Sequence, residues 1–245
     1  MDRFFVDNKV GSTATITDKD EIKHIGKVLR LKEGHKVEIF SKEAKEYIAE
    51  IAEISKDEIR LDILEEVDKK RELDCKITIY QGIPKGQKME LIVQKATELG
   101  VSTIVPCQLR RCVSTIAEKE DKKILRWQKI AQEASKQSKR LIVPVIENTM
   151  DIYDMVEDMK NNQINILFYE AEEGNSIKQY IRRVQESGLQ VKSAGIIIGA
   201  EGGLEKEECE ILSSAGAEIV TLGDRILRTE TAAIYGATIL AYEFE

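Results

Sequence analysis

The chain has 245 residues, 42% of them hydrophobic, with 37 Lys and Arg against 44 Asp and Glu for a net charge of −7. That length suffices for one large domain or two modest ones with real cores. No apolar leader opens the chain and no apolar run is long enough to span a bilayer, so a soluble cytoplasmic protein without a membrane partner is expected; two histidines and four cysteines lacking any CxxC pair speak against a metal and for reduced, buried thiols.

In chain order, residues 1–72 carry short β-like runs, RFFV, KVEIF, EYIAEIAEI and EIRLDIL, separated by polar turns. One helical stretch, DKDEIKHIGKVL, follows a cap at Thr17 or Asp18. This spacing predicts a small barrel-like β module. The charged stretch EEVDKKRELD, residues 65–74, lacks apolar periodicity and reads as a linker.

From residue 75 the pattern changes. Apolar runs KITIYQGI, TIVPCQL, INILFYE, AGIIIGA and AEIVTLG alternate with helical periods in KMELIVQKATELG, KILRWQKIAQEASKQSKR, SIKQYIRRVQESG and KEECEILSSAG, and AIYGATILAY closes the chain as a helix. Alternation of this kind predicts an α/β domain, a mostly parallel sheet with helices on both faces. The expected division is therefore residues 1–72 and residues 73–245.

Charge is unevenly distributed along these segments. Residues 1–72 hold 15 Lys and Arg against 18 acids, residues 73–145 hold 14 against 7, and residues 146–245 hold 8 against 19. The basic middle block, with Lys85, Lys88, Arg110, Arg111, Arg126 and the run KQSKR at 136–140, suits a nucleic-acid backbone or simply a solvated face. Lys129, Lys136 and Arg140 fall on one side if a helix runs through them, and Trp127 in the same helix is expected in the core rather than stacked on a base.

Ligands of open α/β sheets sit beyond the carboxyl ends of the strands. There, GAEGG at 199–203 offers three glycines around one carboxylate, either a ligand loop or a tight strand-to-helix turn. Acids at 201, 205, 207 and 208 would repel a pyrophosphate from the following helix and admit a cofactor without phosphates. In LGDRILRTET, Leu222, Ile226 and Leu227 could wall a slot for a flat ring, with Arg228 and Glu230 at its rim. The alternative there is a surface ion pair with Thr229 or Thr231 capping the last helix. The small residues Ala233, Gly236, Ala237 and Ala241 predict that this helix packs closely in the core or against a second subunit.

Taken together, RFFV, HIGKVLRLKEGHKVEIF, KATELGV, the Gln137-Ser138, Arg140 and Pro144 pattern, GAEGGL and LGDRILRTETAA resemble the RsmE family of 16S ribosomal RNA uridine-N3 methyltransferases, within the SPOUT superfamily. The resemblance covers nearly the whole chain. It implies a PUA-like RNA-binding β-barrel, then a SPOUT-type parallel sheet whose C-terminal segment forms a trefoil knot holding S-adenosyl-L-methionine. It also implies a homodimer acting on 16S rRNA or the assembled 30S subunit.

Carried over, the cofactor-binding residues are Phe168, Tyr169, Glu170, Gly199, Glu201, Gly202, Gly203, Leu222, Gly223, Ile226, Leu227 and Arg228. The catalytic candidates are Arg228, Glu230 and Glu201, the last two as alternative proton acceptors. RNA contacts are expected from Arg3, Arg30, Lys85, Arg110, Arg111, Lys136, Lys139 and Arg140. This sequence departs from the family at Ala200, where proline is usual, and at Arg110 and Lys136, where the family carries acids. A non-catalytic RNA-binding module of the same fold is the rival reading, and a dinucleotide oxidoreductase is disfavoured because QGIPKGQK is a poor phosphate cradle.

Overall fold

A computed structural model describes residues 1–8, 10–113 and 120–245. The chain divides into two compact units, one of residues 1–72 with 135–142, the other of residues 73–134 with 143–245.

The first unit is a mixed five-stranded sheet in the order β1-β3-β4-β5-β2: β1 is Arg3–Val6, β2 Thr13–Ile16, β3 Lys36–Ser41, β4 Glu46–Ile54 and β5 Ile59–Val67. Only the β1–β3 pair is parallel. Alternate side chains turn inward, and Phe4, Val6, Val37, Ile39, Ala49, Ile51, Ile59 and Leu61 form its core. Two boundaries differ from the sequence reading. TATI forms β2, and β5 reaches Val67 in register with Glu46, so the first three residues of the expected linker belong to the sheet. Asp18 is the cap of α1, Lys19–Lys23, its carboxylate accepting from the amides of Asp20 and Glu21. The helix then widens into a π turn over His24–Leu29 that ends at Arg30, held at φ 55°.

The second unit is a six-stranded parallel sheet in the order β11-β9-β10-β6-β7-β8. Its strands are β6 Lys76–Gly82, β7 Thr103–Cys107, β8 Val145–Ile146, β9 Ile164–Phe168, β10 Ser193–Ile198 and β11 Ala217–Val220. Because both faces are covered, the strands are mostly apolar, and successive residues feed opposite cores. Ile77, Ile79, Ile166, Ile196 and Ile198 enter one, together with Trp127, as expected. Tyr80, Leu167 and Ile197 enter the other.

The first core is roofed by α2 Lys88–Glu98, α3 Glu120–Ser138, α5 Ile177–Glu186 and α7 Thr229–Glu243; α4 Ile152–Met159 and α6 Lys206–Ser214 cover the second. Two of these depart from the expected pattern. Helix α4 went unread in DIYDMVEDM; Asp151 caps it and it buries little beyond Met155 and Met159. Helix α3 stops at Ser138 because Lys139 takes φ 62°, so Arg140 lies past its end and not on its basic side.

Strand β10 lies between β9 and β6, both laid down earlier in the chain. The final helix α7 packs on α2, β10 and β6, with Ala233, Gly236 and Ala237 buried. Among the described residues no helix is long and apolar enough to cross a membrane.

Candidate functional site

The carboxyl ends of β9, β10 and β11 open into one cavity of about 790 Å³, a size suited to a nucleoside-like ligand. The three loops singled out in the sequence converge on it. Phe168, Tyr169 and Glu170 come from the first, Gly199, Glu201 and Gly203 from the second, and Leu222, Gly223, Ile226, Leu227 and Arg228 from the third. Gly202 stands apart from this lining; its carbonyl accepts from Arg111 at 3.0 Å.

Each loop has a local reason for its shape. Tyr169 N–H donates to the Val220 carbonyl at 3.1 Å, prolonging the β9–β11 ladder. Gly203 donates to the Ala200 carbonyl at 2.9 Å, closing a tight turn in which Gly203 takes φ +70°. A side chain at Gly203 would strike the Glu170 carboxylate, so the turn also brings the first two loops together. In the third loop Thr221 Oγ1 exchanges hydrogen bonds with the main chain of Gly223, at 3.2 Å each way.

The loops are tied from behind. Thr229, the first residue of α7, is buried and neither caps that helix nor faces solvent. Its hydroxyl donates to the Gly199 carbonyl at 2.6 Å and accepts from Gln81 Nε2 at 2.8 Å. The Gln81 amide also reaches the Gly82 carbonyl at 2.9 Å and is itself fully buried.

The walls combine apolar surface with acid. Leu222 and Leu227 are half-buried and pack on the core beside Phe168, whereas Ile226, expected in the wall, is 87% exposed at the rim. Glu170, Glu172, Glu173, Glu201 and Asp224 face Lys88, Arg225 and Arg228 around the lining. The start of α6, where a phosphate would seek free amides, is closed by its own acid: buried Glu208 accepts from Glu205 N–H and from Arg110 N–H, each at 2.9 Å.

Glu201 is held by the second unit's own cations and amides. It accepts from Lys85 N–H at 3.0 Å and from Lys88 Nζ at 2.9 Å. Burial alone would raise its pKa, but the hydrogen bonds from Lys88, its own amide and Lys85 outweigh that and hold the carboxyl below the usual range. Glu230, in the first turn of α7, lies 3.8 Å from the same ammonium. Neither Lys88 nor Gln81 was singled out for the site from the sequence. The four cysteines are free; Cys75, Cys107 and Cys209 are buried as expected and Cys112 is half-buried, and burial pushes Cys75 and Cys209 up to about 11.

The basic residues divide into two groups. Arg30, Lys85, Arg110, Arg111 and Lys139 are exposed. Three others assigned to RNA are corrected by the structure. Arg3 is 8% exposed and paired with Glu46; Arg140 is 4% exposed, with Nη2 on Glu72 at 2.6 Å. Lys136 is nearly buried against Glu21. All three side chains neutralise acids within the first unit, which removes them from any phosphate surface.

Known proteins resemble this chain over nearly its whole length. Residues 71–241 match the family model of the RNA methyltransferase domain, and residues 16–64 match that of the RNA methyltransferase PUA domain. The chain is 34% identical to ribosomal RNA small subunit methyltransferase E of Bacillus subtilis over 100% of its own length and 98% of the relative's. A Legionella pneumophila protein solved with bound SAM superposes with a TM-score of 0.87 at 30% identity, covering 98% of this chain and 96% of that one. Ribosomal RNA small subunit methyltransferase E of Neisseria gonorrhoeae, solved with S-adenosyl methionine, gives a TM-score of 0.85 at 26% identity, covering 99% and 97%.

Proposed function

This chain belongs to the family of ribosomal RNA small subunit methyltransferase E, and from that premise we propose that it methylates N3 of one uridine in 16S rRNA with S-adenosyl-L-methionine as donor. The observation that carries the reading is the meeting of the three loops on one acid-rich cavity. Leu222, Leu227 and Phe168 would hold the adenine. The acidic lining suits a sulfonium cation, and Gly199 and Gly203 let the main chain approach the ligand.

The donor supplies a methyl group already activated by the sulfonium charge. This chain has to align the uracil and remove its N3 proton, since the protonated nitrogen is a poor nucleophile. Arg228, exposed at the cavity rim, is positioned to stabilise negative charge on the uracil carbonyls. Of the two candidate proton acceptors, Glu201 is already engaged by several donors and held in its ionised form. We therefore assign it an anchoring role; Glu230, nearly buried and outside the cavity lining, is the other candidate.

Residues 1–72 would serve as the PUA-like RNA-binding domain and residues 73–245 as the SPOUT methyltransferase domain. RNA would meet Arg30, Lys85, Arg110, Arg111 and Lys139. A threaded C-terminal knot, a homodimer and a cytoplasmic location complete the proposal.

Two measurements test it. Calorimetry with S-adenosylmethionine on the folded protein should show saturable binding; a flat trace leaves the non-catalytic RNA binder. Mapping of modified bases in 16S rRNA from a strain lacking the gene should show one unmethylated uridine N3, and an unchanged map removes the substrate assignment.

A further inference from the structure

Gly202 is the one residue of the 199–203 loop that does not line the cavity, and its carbonyl is turned towards the loop after β7. There Arg111 Nη1 donates to it at 3.0 Å, and Nε of the same guanidinium reaches Glu205 Oε1 at 3.4 Å. The approach is close because Gly202 has no side chain: a Cβ there would stand 3.0 Å from Arg111 Cβ and 3.2 Å from the Arg111 carbonyl oxygen. The loop that carries Arg111 is itself held down. Arg110 N–H donates to buried Glu208 at 2.9 Å, and Cys112 N–H closes a turn on the Leu109 carbonyl at 3.0 Å.

These bonds fix one peptide of the cavity wall. The Gly202 carbonyl and the Gly203 N–H belong to the same planar unit. Its N–H closes the tight turn on the Ala200 carbonyl at 2.9 Å, and its carbonyl is held from outside by Arg111. Two successive glycines have the widest backbone choice in the chain, so this peptide depends on its hydrogen bonds for its orientation. Thr229 holds the loop at Gly199, Lys85 and Lys88 hold it at Glu201, and Arg111 holds it at Gly202. The neighbouring Arg110 is placed differently: its guanidinium lies 3.6 Å from Glu207 of α6, in the open.

We propose that Arg111 is a positioning residue for the cofactor: it locks the Gly202–Gly203 peptide, and so the middle wall of the cavity, in the shape that receives S-adenosylmethionine. This rests on the methyltransferase reading above. Its side chain is 46% exposed, so the role adds to its contact with RNA.

The test compares Arg111→Met, Arg111→Lys and Arg110→Met in the full-length protein, by calorimetry with S-adenosylmethionine in the absence of RNA. Arg111→Met keeps an unbranched stem against Gly202 and removes the hydrogen-bond donors. Cofactor affinity should fall by about three- to tenfold, with a melting temperature within about 2 °C of wild type. Arg111→Lys should recover part of the loss, and Arg110→Met should bind the cofactor within about twofold of wild type. Single-turnover methylation then uses saturating small ribosomal subunits carrying unmethylated 16S rRNA. There Arg111→Met should need more cofactor for half its maximal rate, yet reach a maximum within about threefold of wild type. Wild-type affinity in Arg111→Met overturns the inference, because the loop then keeps its shape unaided. An equal loss in Arg110→Met overturns it too, because positive charge alone would then explain the effect. Should Arg111→Met melt early, Arg111→Gln replaces it in the same comparison. Failure of the underlying reading looks different: wild-type protein then gives no heat with S-adenosylmethionine, and both proposals are withdrawn.

Discussion

Thr229 donates its hydroxyl to the Gly199 carbonyl at 2.6 Å, joining the start of the last helix to the loop after β10. Gln81 secures the joint from β6. Replacing Thr229 with valine keeps the shape and leaves a buried carbonyl and amide short of a partner. A loss of about 1–3 kcal/mol in denaturant unfolding is expected, with weaker S-adenosylmethionine binding. Thr229→Ser should stay near wild type in both; equal damage from both variants would show that the hydroxyl does not matter.

The absent side chain of Gly236 makes room for the Phe168 ring against α7. Gly236→Ala should therefore destabilise by about 1–3 kcal/mol despite improving helix propensity. Adding Phe168→Leu should recover part of the melting temperature. A Gly236→Ala protein more stable than wild type would mean the ring is free to move aside.

Arg228 flanks the cavity without a buried role. Arg228→Ala is expected to cut methylation by about 100-fold or more with an unchanged melting curve. Near-normal turnover would take it out of the site.

Charge reversal separates the two groups of basic residues. Arg110→Glu with Arg111→Glu should weaken binding to small-subunit RNA and flatten its dependence on salt, in filter-binding titrations. Arg140→Glu, at a buried ion pair with Glu72, should instead unfold the first unit. An Arg140→Glu protein that folds normally and loses only RNA affinity would restore that arginine to the RNA surface.

The Glu201 anchor has a defined pH window. Its folded pKa lies below the ordinary carboxylate value, so its stabilising effect is complete above the unfolded carboxylate range and fades as pH falls through the lower folded value. The stability difference between wild type and Glu201→Gln should be flat from about pH 6 to 8 and shrink only in acid. A difference that fades near neutrality would contradict the Lys88 and Lys85 contacts.

The parallel sheet was legible because strands buried on both faces are mostly apolar, as INILF and SAGIII are but for Asn165 and Ser193. The cavity loops were legible because glycine and acid cluster at strand ends. Helix α4 was not, since its burial rests on Met155 and Met159 amid acids. Nor was β2, whose TATI has no large side chain but Ile16. Gln81 and Thr229 are 148 residues apart, and no local pattern announces a bond between them. Arg3, Lys136 and Arg140 misled for a related reason: positive charge is visible in a sequence, whereas a distant acid that will bury it is not.

The placement of β10 between two earlier strands has a temporal consequence. A growing polypeptide can complete the outer half of this sheet only after its last third has emerged, and the walls around Gly199 and Arg228 mature later still. Donor affinity should thus be the final property the protein acquires during synthesis, so an incomplete chain would not sequester it.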